Sequence, residues 1–218
     1  MLKLSDRDWF ARGGNRLCYV HPDDPSQCLK VARHLADASY APSRSGRETF
    51  DENAREAAAF RRFTKPLTEA VLSPEYRGMV ETDLGPALAC SLFRDDDGRI
   101  SRTLEYTLWT EGMTDPLGVA LKGFQDGWSR HGFATRKILP HNLVVVRSQQ
   151  SRWRLALVDG FTVSWWGRLT LPIFRGAAVN AVDAGLAAME VLRAKQGGNP
   201  EMAKSIANRV DRWNQKNP

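Results

Sequence analysis

The chain has 218 residues, of which 42% are hydrophobic and 26% charged, with 31 Lys and Arg against 25 Asp and Glu and three cysteines. That length suffices for one large domain or two small lobes sharing a cleft, and the composition can build a buried core. No stretch approaches a membrane-spanning apolar run. The opening MLKLSDRDWF lacks the apolar centre of a signal peptide, and Cys18, Cys28 and Cys90 show no zinc-type spacing, so they read as reduced thiols of a cytoplasmic protein.

The charge is uneven. Residues 133–218 carry 13 Lys and Arg but five Asp and Glu, which leads us to expect an anionic partner or acceptor near that part of the chain. No Lys/Arg run exceeds two residues, so a nucleic-acid surface is not expected.

Taken in order, three short strands come first: Asp8–Ala11, Arg16–His21 and Gln27–Ala32. The first turn is Gly13-Gly14-Asn15. A glycine turn between strands bares backbone N–H groups of the kind that cover phosphates. Lys30 stands between Leu29 and Val31 in the third strand. After a loop, Ser43 or Ser45 is expected to cap a helix over Gly46–Phe63. In that helix Glu56, Phe60 and Phe63 share a face. A carboxylate in line with two phenyl rings points inward and needs a partner, and Lys30 is the evident one.

Two more strands, Tyr76–Thr82 and Ala87–Leu92, flank a DLGP turn. The acidic FRDDDGRISRT segment reads as the linker, giving an organisation of residues 1–92, a hinge over 93–113, and 114–218. Thr114, Asp115 and Pro116 announce a long helix with Leu117, Leu121, Phe124 and Trp128 on its buried stripe, ended by Gly132. Next comes a hairpin, Leu143–Val146 and Trp153–Val158, around the polar separator RSQQSR. Its open end carries Asn142 before the first strand and Asp159 after the second. An amide oxygen and a carboxylate brought together suit a hard cation such as Mg2+, with phosphate oxygens completing the shell. An aromatic loop, SWWGRLTLPIF, leads to helices over Phe174–Lys195 and Glu201–Trp213.

The order glycine turn, strand Lys, helix Glu, linker, helix, Asn, hairpin, Asp-Gly resembles that of protein kinases. It implies an α+β, two-lobed, kinase-like fold with a small antiparallel N-lobe and a mainly helical C-lobe. The resemblance implies that Gly13, Gly14, Lys30 and Glu56 serve ATP and that Asn142 and Asp159 hold Mg2+. Arg16, Cys18, Tyr19, His21, Pro22, Asp24, Cys28 and Lys30, together with the VETDLG block at Val80–Gly85, are similar to the YrbL family of the bacterial PhoP regulatory network. That resemblance runs from about Leu4 to Trp165. It marks Tyr19, His21 and Cys28 as features of the fold rather than a catalytic Cys/His pair.

One departure bears on activity. Kinases place an Asp five residues before the metal-binding Asn, to orient the acceptor hydroxyl. Here that position is Lys137, which accepts a proton only when neutral but can neutralise charge on a phosphoryl group. The sequence therefore allows a phosphotransferase with an unusual catalytic loop, a nucleotide-binding pseudokinase, or a basic scaffold that never uses ATP.

Overall fold

A computed structural model describes residues 1–37, 52–133, 135, 138–149, 152–161 and 173–217. The chain divides into two compact units. One comprises Met1–Arg61, Glu75–Leu92 and Arg212–Pro218, and the other Arg62–Pro74 and Phe93–Asp211. The fold class is α+β, as expected.

The first unit is built on a five-stranded antiparallel sheet. Its strands are β1 (Ala11–Arg12), β2 (Arg16–Val20), β3 (Gln27–Ala32), β4 (Tyr76–Thr82) and β5 (Gly85–Ser91), in the order β1-β2-β3-β5-β4. β3 is the central strand, and both its faces are buried. One face carries Leu17, Tyr19, Leu29, Val31, Ala87 and Ala89, closed over by Leu4. The period of two that predicted these strands is the physical cause of this split. The first strand sits later than expected, at Ala11–Arg12. Phe10 still donates its N–H to Cys18 O at 2.9 Å, so the segment before β1 follows the same partner.

A one-turn helix α1 (Arg33–Ala36) follows β3, and α2 spans Glu52–Phe63. The expected helix start at Gly46 and its caps Ser43 and Ser45 lie outside the described residues. Phe60 of α2 stacks on Tyr76 of β4, with ring centroids 5.6 Å apart.

Two turns lock the sheet. Between β2 and β3, His21 Nδ1 accepts the N–H groups of Asp23 and Asp24 at 3.1 Å each. Asp24 accepts from Ser26 N at 2.9 Å, Ser26 Oγ at 2.6 Å and Gln27 Nε2 at 2.7 Å. Between β4 and β5, Thr82 Oγ1 donates to Gly85 O at 2.6 Å, and Asp83 Oδ1 takes the Leu4 N–H at 2.7 Å. Gly85 has φ of +92°, a backbone conformation that favours glycine. The end of the chain joins this unit, with Trp213 edge-on to Phe10 at 6.4 Å and Asn217 Nδ2 donating to Phe10 O at 3.0 Å.

The second unit is mainly helical. It holds the short α3 (Lys65–Glu69), α4 (Leu104–Thr110), α5 (Asp115–His131), α6 (Ile173–Lys195) and most of α7 (Pro200–Lys216). A three-stranded sheet joins them, with strands β6 (Arg102–Thr103), β7 (Leu143–Val146) and β8 (Arg154–Leu157) in that order. The stripe on α5 is buried as expected, with Phe124 and Trp128 stacked at 5.6 Å and Trp128 against Phe133 at 5.5 Å. Thr114 occupies the N-cap position of α5, but its side chain makes no capping hydrogen bond.

Segment 93–113, read as linker, contains β6 and α4. Leu104, Tyr106 and Leu108 are buried, and Thr103 Oγ1 caps α4 by accepting the Tyr106 N–H at 3.1 Å. The acidic residues masked this element. Asp95 and Asp96 instead serve as acceptors for the backbone N–H groups of Arg147 at 3.0 Å and Gln149 at 2.9 Å.

The Asp24 carboxyl is held low, at about 2, chiefly by the Ser26 hydroxyl and then by Gln27. A carboxylate depressed in the folded state stabilises above its unfolded pKa, and that contribution is lost as the pH falls through the folded value. Asp24→Asn should therefore lower the melting temperature at neutral pH. The gap to the native chain should close as pH drops from about 4 towards 2. Melting curves at stepped pH check this.

Candidate functional site

Lys30 lies at the middle of the central strand, directly opposite Cys18 on β2 and Leu88 on β5. Its side chain reaches α2, where Nζ is 2.5 Å from Glu56 Oε1. The pairing expected from the helix face is therefore present. The second carboxylate oxygen is also engaged, by Arg16 Nη2 at 2.7 Å. Arg16, Lys30 and Glu56 are exposed by only 5%, 4% and 2%. Asn53, one turn earlier on α2, ties the group together: its Nδ2 donates to Lys30 O at 2.9 Å and its Oδ1 accepts from Arg16 Nη1 at 3.4 Å.

Two buried cations thus share one buried carboxylate. Glu52, 3.8 Å from Arg16 Nε, is the next anion, and its side chain is far more exposed. Water is largely excluded from the inner cluster, so these charges interact more strongly than exposed ones would. The sequence reading does not single out Arg16 and Asn53 as site residues. A signal is available for Asn53, which stands three residues before Glu56 on α2 and so shares its face.

The Gly13-Gly14-Asn15 turn is present. Gly13 N–H closes it onto Arg16 O at 2.9 Å, and Gly14 O accepts from Arg33 Nη1 at 2.9 Å. Among the described residues, none beyond its chain neighbours places an atom within 4 Å of where a Gly14 Cβ would stand.

In the second unit, Leu143 pairs with Leu157, and Val158 N–H donates to Asn142 O at 2.9 Å. The hairpin so brings Asn142 and the residue before Asp159 to one end. Asn142 closes a short 3-10 turn, Pro140–Asn142, and is 8% exposed. Asp159 Oδ1 accepts the Gly160 N–H at 2.6 Å. Gly160 has φ of +87°, a conformation open to glycine, and Phe161 after it is fully buried. Gly160 O accepts from the Thr135 hydroxyl at 3.3 Å. Asn142 and Asp159 offer hard oxygen donors, the chemistry Mg2+ requires. Among the described residues, no group of three or more His, Cys, Asp or Glu could hold a metal ion. Lys137 and Arg136 lie outside the described residues.

Removing Glu56 strands two buried cations. Glu56→Ala should destabilise the chain by about 3–5 kcal/mol, the scale for breaking a buried pair, and Glu56→Gln by less. Urea unfolding measures both.

The sequence profile of the PhoP regulatory network protein YrbL family matches residues 2–174. The protein YrbL of Escherichia coli (strain K12) is 27% identical over 155 residues, 69% of each chain, and that of Shigella flexneri matches equally. Among solved structures, Rad53 1-466 in complex with AMP-PNP aligns with TM-score 0.47 and 11% identity. That alignment covers 85% of this chain and 44% of that one. A point mutant of the Mycobacterium tuberculosis PknI kinase domain aligns with TM-score 0.41 and 17% identity, over 95% of this chain and 93% of that one. The sequence match covers most of the chain, and the chain belongs to the YrbL family of PhoP regulatory network proteins.

Proposed function

We propose that this chain, built on the kinase-like plan that its order of elements implies, binds ATP together with Mg2+. The observation that carries the reading is the buried Arg16–Glu56–Lys30 cluster, in which two cations face one carboxylate. Such a cluster is costly to bury, and it holds the Lys30 ammonium in a fixed position, as a phosphate-binding lysine requires. In this reading Glu56 and Arg16 hold Lys30 in place, and Lys30 takes phosphate oxygens. Gly13 and Gly14 provide a turn without side chains. Asn142 and Asp159 are the proposed Mg2+ ligands. Mg2+ would neutralise phosphate charge; the residues of this chain orient it and bind the nucleotide.

Phosphoryl transfer is a narrower matter. Lys137 stands where kinases carry the residue that orients the acceptor hydroxyl. The proposal is therefore nucleotide binding, with turnover resting on Lys137. The alternative of a basic, ATP-independent scaffold draws less support. Arg147, Arg209 and Lys216, three of its cations, already pair with Glu111, Glu105 and Asp8.

A ligand that binds only the folded state must raise apparent stability, by about 2.7 kcal/mol at a hundred times its Kd. ATP with Mg2+ should raise the melting temperature of the native chain. Asp159→Ala should lose the Mg2+-dependent part of that rise, and Lys30→Met most of it. Equal shifts in all three proteins, or none in the native chain, contradict the reading. Lys137→Ala should weaken ATP binding by about 1 kcal/mol. Lys137→Asp should gain slow turnover if the native chain is a pseudokinase lacking only that group.

A further inference from the structure

All three cysteines of the chain meet on one face of the first unit's sheet, although they stand at positions 18, 28 and 90. Cys28 and Cys90 are direct partners across β3 and β5. The bond from Leu92 N–H to Ser26 O lies two residues along the same register, so Cys28 and Cys90 form a hydrogen-bonded pair. Such pairs hold their Cα atoms about 5.5 Å apart, within the usual range for a disulfide. On the other side, Cys18 on β2 stands opposite Lys30, and Cys28 opposite Val20, so Cys18 and Cys28 are diagonal neighbours. The neighbouring thiols of Cys18 and Cys90 both push the pKa of Cys28 up. Cys28 is the middle member of a row of three.

The members differ in access and surroundings. Cys28 and Cys90 are buried, whereas Cys18 is partly exposed. Cys18 is also the one facing Lys30 across the strands. Access sets Cys18 apart, because an oxidant must reach the sulfur it attacks. The hydrogen bond from Cys28 lowers the pKa of Cys90, and Lys30 adds to this, whereas its two sulfur neighbours and burial raise that of Cys28.

We propose that the three cysteines form a peroxide-oxidisable thiol relay, with Cys18 as the entrance and Cys28 as the resolving thiol. The oxidant is hydrogen peroxide or an organic hydroperoxide. The Cys18 thiolate attacks the peroxide, its sulfur becomes a sulfenic acid, and hydroxide or alkoxide leaves. The Cys28 sulfur then attacks that sulfenic sulfur. A Cys18–Cys28 disulfide forms and water departs, carrying the sulfenic oxygen and the Cys28 proton. Two thiols are oxidised and one peroxide reduced. Cys90 can next attack Cys28, which moves the bridge to Cys28–Cys90 and returns Cys18 as a thiol by ordinary exchange. Either bridge ties β3 to a neighbouring strand beside the Lys30–Glu56–Arg16 cluster.

The test uses the full, reduced chain treated with hydrogen peroxide and mapped by mass spectrometry without reduction. The expected result is loss of two thiols and of the mass of two hydrogens. Every intramolecular bridge should include Cys28, and dithiothreitol should reverse it. Cys28→Ser should leave a sulfenic acid at Cys18, trapped by dimedone, with no bridge. Cys90→Ala, which spares the first step, should still form Cys18–Cys28. Three thiols that persist through peroxide treatment of the native chain overturn the proposal. So does a Cys18–Cys90 bridge, or bridging only between two chains.

Discussion

The Glu56 carboxylate is the point on which the first unit turns. It is almost wholly removed from water, and each of its oxygens is taken by a different cation, one from β2 and one from β3. A single helix residue thereby fixes two neighbouring strands against α2. Charges in such a place lose hydration, and only close, saturated geometry restores what is lost. Asn53 supplies the missing contacts by linking the same two strands through the Lys30 carbonyl and the Arg16 guanidinium. The cluster fixes the Lys30 ammonium in one place on the sheet. Glu52, 3.8 Å from Arg16 Nε, adds a second and more exposed carboxylate at its edge.

The turns around this cluster account for the residues that first set the chain apart. His21 and Asp24 fold the β2–β3 connection by accepting N–H groups of the turn itself. Thr82, Asp83 and Gly85 do the same between β4 and β5, and Asp83 also anchors the segment around Leu4. These polar residues set the lengths of the connections and thus the strand register. The register puts Lys30 on the same face as Glu56 and lines the three cysteines up beside it. A one-residue slip would turn Lys30 to the opposite face.

Much of this was legible in the sequence. The alternation in Tyr76–Thr82 marks that strand to the residue, since half-buried strands must alternate; Gln27–Ala32, buried on both faces, was legible from its apolar members around Lys30. The Lys30–Glu56 pair could be read because a carboxylate in line with Phe60 faces inward and needs a cation. The second cation could not. Nothing local to Arg16 tells an inward strand arginine from an outward one, as both suit an amphipathic side chain. Helix α4 was hidden by composition: three aspartates and a glycine precede it, and its apolar run of Leu104, Tyr106 and Leu108 is too short for a clear helical period. The short β6 was missed because two residues carry no pattern. The grouping of the cysteines follows from register alone, which sequence spacing does not reveal.

A crystal structure with a non-hydrolysable ATP analogue and Mg2+ tests the central claim most directly. The account predicts that Lys30 keeps its contact with Glu56 while its Nζ touches a phosphate oxygen, and that one Mg2+ binds both Asn142 and Asp159. An analogue seated away from Lys30, or a metal bound without Asn142 and Asp159, would contradict it.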